Sequence, residues 1–589
     1  MGARLNADLV FLTLGGVQPF IAESRKTADA AGASLTVRHV VAAAAKRPAA
    51  LEAPFGLVMP APSVLTEQHN DVPVGISNKI VFLAPPGTGP EIAARATADA
   101  RAEWDRLVRE AHGKTVSTPG MPDLTWACAT GEFGSDAEYR ELWKAAEAAM
   151  RQRKRTRWFT PHRSTGMTLC DQSPLLPAIG VPRGQEAMKV PSHERKERLS
   201  AAGWTKRSVG NTIYGKGRRF AATTVVASSW FRAKLLERAA TDPELRRELV
   251  PLVEHLARIS PNKPDHASIP GEHPAELEAL SSKVGSTISP DAWEPHALPH
   301  DVRENAAAGR RLASQIGRLA QQHELPSLTP YFAIVVQDLD KLGATISDLS
   351  LADQRNASRV LTDLGGRQRE LSRHAEHLGV PVFAGGDDFL AFAPAATALR
   401  LASAIRRSTA EHLRDEPSLS HVTASTAVVF SHMTSPLREA IAAAQQALDQ
   451  AKEAHGRGIS AQRNALSVVV RRRGGERART IQPWYHHDHD AAELLGSAAP
   501  DAQFSAKLAS RLEHDRDELA RLAGADDGLI RDVARAEVRR LVERQGGTPD
   551  VADAVIELGE HERRADGTSS RFDPVPAALV ARFLAQECR

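Results

Sequence analysis

Four aspartates stand where this chain could carry out chemistry. Asp338 and Asp340 close the apolar run Tyr331-Phe-Ala-Ile-Val-Val-Gln-Asp-Leu-Asp, and Asp387 and Asp388 directly follow Gly385 and Gly386. Carboxylates gathered at the ends of apolar strands raise one another's pKa and destabilise a fold unless a cation neutralises them. Hard, oxygen-only ligands suit Mg2+ or Mn2+ rather than zinc. The chemistry most often built this way is phosphoryl or nucleotidyl transfer with two ions about 4 Å apart. One ion lowers the pKa of the attacking oxygen and the other holds the leaving group.

The elements that must position these acids can be read from the surrounding pattern. Residues 331 to 340 predict a strand that delivers carboxylates at its end. Leu351, Val360, Leu361, Leu364, Leu371 and Leu378 follow at spacings compatible with one helix face. Val380-Pro-Val-Phe-Ala and Phe389-Leu-Ala-Phe-Ala then flank Gly-Gly-Asp-Asp, which predicts a hairpin with acids at its tip. Taken alone, that tetrapeptide is an ordinary hairpin turn; the strand, crossover helix and hairpin together give it meaning. A calcium loop starting at Asp338 fails, because its fifth and twelfth positions are Leu342 and Leu349.

This segment resembles the catalytic Palm domain shared by polymerases and nucleotide cyclases. The resemblance is strongest to the large Palm subunit of type III CRISPR effector complexes, subtype III-B (Cmr). It continues in Thr423-Ala-Ser425, Ser435-Pro436-Leu437, the Lys452-Glu453 helix end and the strand from Asn464 to Arg471 before Gly474-Gly475. The resemblance implies an α+β multidomain chain with two ferredoxin-like Palm domains plus helical domains. It also implies synthesis of cyclic oligoadenylate from ATP when the complex binds target RNA. Carried over residue by residue, it makes Asp338, Asp387 and Asp388 the catalytic ligands of two Mg2+ or Mn2+ ions, with Asp340 a weaker ligand. Gly385 and Gly386 would leave room for the triphosphate, Lys452 would neutralise it, and Ser425 would touch base or ribose. The implied partners are the other subunits of the complex, guide RNA and target RNA.

At 589 residues the chain is too long for one core. A formal charge of +3 makes any nucleic-acid contact a matter of local patches, here Arg151 to Arg157 and Arg471 to Arg479. Such runs are ordinarily solvated faces. Cys128, Cys170 and Cys588 are the only cysteines, which excludes a disulfide framework and suits a reducing cytoplasm. No run approaches the ~18 apolar residues that span a bilayer, so no membrane role is expected.

Five units are expected in chain order: a first, non-catalytic Palm over 1–160, a degenerate zinc-ribbon-like linker over 161–195, a helical domain over 196–325, the second Palm over 326–480 and a helical bundle over 481–589. In the first, Asp8 to Leu14 predicts a strand, Gly15-Gly16-Val17-Gln18 a turn into a helix, Gly75 to Leu83 another strand, and Pro90 to Ala111 a helix. Gly-x-Val-Gln-x-Phe-Ile and Arg25-Lys26-Thr27 resemble the opening of the family's first Palm. The family often carries an HD-type nuclease before this point, so that activity is expected to be missing. Trp126 to Phe159 reads as helical, with Tyr139, Leu142, Trp143 and Ala146 on one face. The family's cysteine zinc ribbon is reduced here to Cys170, so no structural zinc is expected. Ser260 to His300 reads as a loop. Trp484-Tyr-His-His-Asp-His-Asp490 invites a metal reading, but neighbouring residues point different ways, which favours a polar loop.

Two other functions fit the residues. One is a scaffold for an RNA complex whose Palm is idle or only binds nucleotide. The other is a free-standing nucleotide cyclase resembling the diguanylate type, against which the second Palm copy and its helical domains argue.

Overall fold

The computed structural model describes residues 4–65, 76–156, 168–182, 196–212, 220–260, 269–294, 298, 300–454, 463–486, 489–523, 528–564 and 572–588. The first unit runs β1 (Leu5–Gly15), α1 (Val17–Ala22), α2 (Thr27–Ala49), β2 (Gly56–Met59), β3 (Lys79–Ala84), α3 (Gly89–His112), β4 (Asp123–Phe133) and α4 (Asp136–Arg155). Its sheet order is β2-β3-β1-β4, antiparallel throughout. That is the ferredoxin-like βαββαβ arrangement. The segment from Trp126 to Phe133, expected to be helical, is strand β4. The helix starts only at Asp136, where the Ser135 hydroxyl caps it by accepting from the Glu138 amide. β4 is an edge strand with apolar residues on both faces, Leu124, Trp126 and Cys128 on one and Ala127, Ala129 and Phe133 on the other, so its sequence lacks the alternation that marks a half-buried strand.

Among the described residues five helices follow: α5 (Ala201–Thr212), α6 (Thr223–Thr241), α7 (Pro243–Ile259), α8 (Glu278–Ser282) and α9 (Ala306–Gln322). The described part of 260–300 is not a bare loop. Short helical turns bury Leu277, Leu280 and Trp293 against α6, α7 and α9.

The second Palm repeats the first. It runs β5 (Tyr331–Leu339), α10 (Leu342–Ser347), α11 (Leu351–Arg373), β6 (Val380–Gly385), β7 (Asp388–Pro394), α12 (Ala398–Arg414), β8 (Ala424–His432), α13 (Leu437–Glu453), β9 (Ala465–Arg472) and β10 (Gly475–Pro483). The sheet order is β10-β9-β8-β5-β7-β6. Its β8-β5-β7-β6 part is the same ferredoxin-like core. α13 then crosses over to place β9 parallel to β8, and β10 returns as an antiparallel hairpin.

Period-two alternation explains why β5 is apolar without interruption. Phe332, Ile334 and Val336 enter a core shared with α2, α3, α13 and Val10, Leu12 and Phe82 of the first sheet. Ala333 and Val335 face the other way, toward α12 and the C-terminal helices. Both faces are covered, and each large side chain so buried contributes about 1.5–3 kcal/mol. α11 in turn packs over the outer face of the first sheet beside α4. There the Tyr139 hydroxyl donates to Gln354 Oε1 at 2.6 Å.

Among the described residues the remainder forms a short hairpin, β11 (Tyr485–His486) and β12 (His489–Asp490), and six helices: α14 (Ala491–Ser497), α15 (Ala502–His514), α16 (Arg516–Ala523), α17 (Gly528–Arg544), α18 (Pro549–His561) and α19 (Val575–Glu587). In the described part of this stretch Trp484, His486 and Asp490 are buried while Tyr485 and His489 are exposed, so it is a hairpin with a buried side rather than the polar loop expected. Most of the zinc-ribbon-like linker lies outside the described residues. Within 168–182, Cys170 is buried against Leu199 and Trp204. The basic run at 471–479 lies on the β9–β10 hairpin, and most of its arginines pair with acids. Arg471 pairs with Glu439, Arg477 with Glu513 and Arg479 with Glu476. The end of the other basic run, Arg157, lies outside the described residues; Arg151 in it pairs with Glu147. Among the described residues no helix is long and apolar enough to cross a membrane.

Candidate functional site

The register of the second sheet sets the acids together. Asp338 on β5 is the direct partner of Asp388 on β7, and Gly385 on β6 is the partner of Asp388 on its other side. Direct antiparallel partners project to the same face within about 5 Å of each other. The Leu339 amide donates to the Asp387 carbonyl at 3.1 Å, so the hairpin tip is tied to the end of β5. Gly386 makes the turn with φ +67°, a backbone conformation that a side chain disfavours.

Like charges opposite one another are unfavourable, and the titration of the acids reflects it. Asp387 opens onto solvent at the tip and Asp388 is half-buried, yet protein crowds both on the remaining sides. Desolvation is the main effect raising the Asp387 carboxyl, and the Asp338 charge adds to it. Asp388 is pushed further up, by desolvation first and then by the charges of Asp387 and Asp338. A hydrogen bond with Asp338 favours its protonated form as well. The counter-charge comes from the last turn of α13, where Lys452 Nζ lies 2.8 Å from Asp338 Oδ2.

Asp340 has a different role. It is buried where the chain turns after β5, and its carboxylate accepts from Thr423 Oγ1 at 2.7 Å, Ser425 Oγ at 2.8 Å and the Asn464 amide at 2.9 Å. It is therefore a bolt between β5, β8 and β9. This corrects the expectation for Ser425: its hydroxyl is turned inward to Asp340 and the residue is fully buried, so it is not placed to touch a base or ribose.

Gly385 is also held by packing. A Cβ built on Gly365 of α11 would stand 2.8 Å from the Gly385 Cα, so the bare backbone of Gly365 lets helix and hairpin touch backbone to backbone. Opposite the hairpin tip stands the first Palm. A Cβ on Gly386 would meet Ser77 at 3.6 Å, and Lys79 at the start of β3 is near enough for the Asp387 charge to act on it. Lys79 Nζ lies over the Phe11 ring at 4.6 Å and Trp143 at 5.3 Å, and desolvation lowers its pKa. Sequence reasoning missed Ser77 and Lys79, whose only signal is their place on the first Palm's β2–β3 connection, the counterpart of the acidic hairpin.

The acids, the lysine and the facing Palm copy can be set beside known proteins. Residues 331–461 match the family model described as Cas10/Cmr2, second palm domain. A chain of type III-B Cmr-beta in its apo state, determined by cryo-EM, is similar over 98% of this chain and 81% of its own length, at 12% identity and a TM-score of 0.62. Type III-B Cmr-beta bound to cognate target RNA gives 13% identity, coverage of 99% and 83%, and a TM-score of 0.66. No curated protein is similar enough to count as a match. Residues 331–461 are thus similar to the Cas10/Cmr2 second palm domain, and the chain shares its fold along nearly its whole length with chains of type III-B Cmr-beta.

Proposed function

We propose that the chain is a nucleotidyltransferase of a type III-B effector complex that makes cyclic oligoadenylate from ATP when the complex recognises target RNA. The observation that carries this reading is the direct opposition of Asp338 and Asp388 at the end of β5, with Asp387 beside them. Two or three carboxylates forced together, one held strongly toward its protonated form, are a donor set short of positive charge. They fit Mg2+ or Mn2+, which Asp338, Asp387 and Asp388 would hold. Bound there, two such ions activate a 3'-hydroxyl and neutralise charge on the transferring phosphate.

The chain's own residues do the rest. β5 and the β6–β7 hairpin fix the acids on rigid strands, and the Asp340 bolt prevents the strand end from shifting. Lys452 supplies a cation beside Asp338 and would move to the triphosphate once divalent ions take its place. Lys79 and Ser77, reaching over from the first Palm, narrow the mouth above Asp387.

The Cmr-beta relative that matches over nearly the whole chain is bound to cognate target RNA. By that likeness the partners proposed here are the other complex subunits, guide RNA and target RNA. Three unpaired cysteines suit the reducing cytoplasm in which such a complex would work.

One observation favours a second reading, a subunit whose Palm only binds nucleotide or scaffolds the complex: Lys452 already closes on Asp338. The test is the assembled complex incubated with ATP, Mn2+ and cognate RNA, followed by pyrophosphate release and mass spectrometry of the products. Synthesis predicts pyrophosphate and cyclic adenylates that vanish in D387A/D388A, while the scaffold predicts neither product from the wild type.

A further inference from the structure

His486, Glu557 and His561 come together far from the Palm acids. Their ligand atoms all lie within 4.8 Å of one another. His486 stands on β11, directly after the last strand of the second Palm, and its side chain is fully buried. Glu557 and His561 lie four residues apart on one face of α18, with His561 in its last turn.

The geometry is poor for an ion pair and good for a shared cation. His486 Nδ1 is 3.9 Å from Glu557 Oε1, beyond hydrogen-bond length. Glu557 Oε1 is itself buried and accepts no hydrogen bond from the described residues. The His486 and His561 rings meet edge to face at 4.8 Å. Two protonated imidazoles at that distance would repel, and a buried carboxylate oxygen without a donor is costly. One divalent ion among the three would give Glu557 Oε1 its partner and take one nitrogen from each ring. Around a tetrahedral zinc, ligand atoms stand roughly 3.3–3.5 Å apart, so small side-chain rotations close the triad. Two imidazole nitrogens and one carboxylate oxygen are the donor set of a zinc-class ion, not of Mg2+. The end of α18 favours the positive charge.

We propose that His486, Glu557 and His561 bind one zinc-class divalent cation that staples the C-terminal bundle to the second Palm. The ion would join the β11 turn, which leads out of strand β10, to α18, whose next residue Glu562 accepts from the Ile481 amide of that strand. Water or another side chain would complete its coordination.

The test uses the full chain, freed of any affinity tag and stripped with chelator. Zn2+ is added, the protein is gel-filtered, and metal content and unfolding midpoint are measured; Co2+ replaces Zn2+ for visible absorption. The proposal expects one equivalent retained, a midpoint raised by several degrees, and the intense absorption of tetrahedral Co2+ with imidazole ligands. H561Q and E557Q should each lose more than about tenfold in Zn2+ affinity, together with the absorption and the midpoint shift. H489Q, altered outside the triad on the same hairpin, should lose none of these. A wild type that elutes without zinc overturns the proposal, as does an H561Q protein that retains the Co2+ spectrum. The spectrum separates this site from the oxygen ligands of the Palm acids, which give only weak bands.

Discussion

Lys452 Nζ sits 2.8 Å from Asp338 Oδ2, while Asp338 directly faces Asp388 across the β5–β7 pair. One lysine and the proton favoured on Asp388 therefore offset only part of the charge of three acids. Divalent ions bound at the acids must displace both. We expect Mn2+ binding to release protons, seen in calorimetry as a heat that changes with the ionisation enthalpy of the buffer. Affinity should fall as pH drops into the range where Asp388, raised first by desolvation, takes up its proton. D388N should bind Mn2+ at least about tenfold more weakly with little proton release. Lys452→Ala should bind Mn2+ at least as tightly as wild type, since it removes a competitor.

The same acids set a stability trend. The folded-state pKa of Asp388 lies above its unfolded value, so the folded protein holds the proton more tightly. The metal-free fold is then most favoured below the unfolded carboxyl pKa and loses stability as pH rises from there through the folded value. Denaturation of chelated protein should show this loss. D388N should flatten it, and Mn2+ should reverse it.

Asp340 separates a structural acid from the others. D340N keeps the shape but gives up charge on an acceptor that three donors share. Buried hydrogen bonds to a charged group contribute about 1.5–3 kcal/mol each, so a loss of roughly 2–4 kcal/mol is expected in urea. D387N should change stability little, or raise it, because it relieves repulsion at the tip. Equal stability losses in the two variants would contradict the separation.

Much of this site is legible in the residues themselves. The apolar run of β5 and the paired strands around Gly-Gly-Asp-Asp place Asp338 and Asp388 at adjoining ends because a hairpin returning beside its parent strand leaves few other registers. Asp340 is harder. Its partners Thr423, Ser425 and Asn464 lie more than eighty residues away, and only the adjacency of β8 and β9 brings them in. Lys79 is invisible for a similar reason, since it arrives from the other Palm. β4 was unreadable because both its faces meet apolar cores, Leu124, Trp126 and Cys128 on one side and Ala127, Ala129 and Phe133 on the other, which erases the alternation. His486 gains its meaning from α18, about seventy residues on, which no local pattern reports.

A buried pair at the other end of the first Palm gives a prediction with the opposite sign in pH. Asp29 accepts a fork from Arg207, at 2.8 Å to each oxygen, besides the amides of Arg25 and Lys26 and the side chain of Gln172. Desolvation alone would raise its pKa. The Arg207 hydrogen bonds and charge more than offset that and bring it down to about 2. A folded value below the unfolded one means stability that is present above about pH 4 and lost between pH 4 and pH 2, worth about 2 kcal/mol. Wild type should therefore lose its advantage over D29N as pH falls through that window. Because Arg207 also ties α5 to α2 and Glu197, D29N should destabilise at neutral pH by about 3–5 kcal/mol.

Two adjacent glycines of α11 should respond in opposite ways. A Cβ at Gly365 would lie 2.8 Å from the Gly385 Cα and 2.9 Å from the Ala384 carbonyl oxygen, and both are backbone. G365A must therefore push the hairpin away from the helix, costing about 1–3 kcal/mol. It should also misplace Asp387 and Asp388 relative to Asp338, so Mn2+ affinity should fall with stability. At Gly366 nothing lies within 4 Å of the added carbon. G366A gains helix propensity, so it should stabilise by roughly 0.5–1 kcal/mol and leave Mn2+ binding unchanged. Urea denaturation and Mn2+ titration of the two variants measure both effects. A G365A protein as stable as wild type would mean that α11 and the acidic hairpin are not in backbone contact.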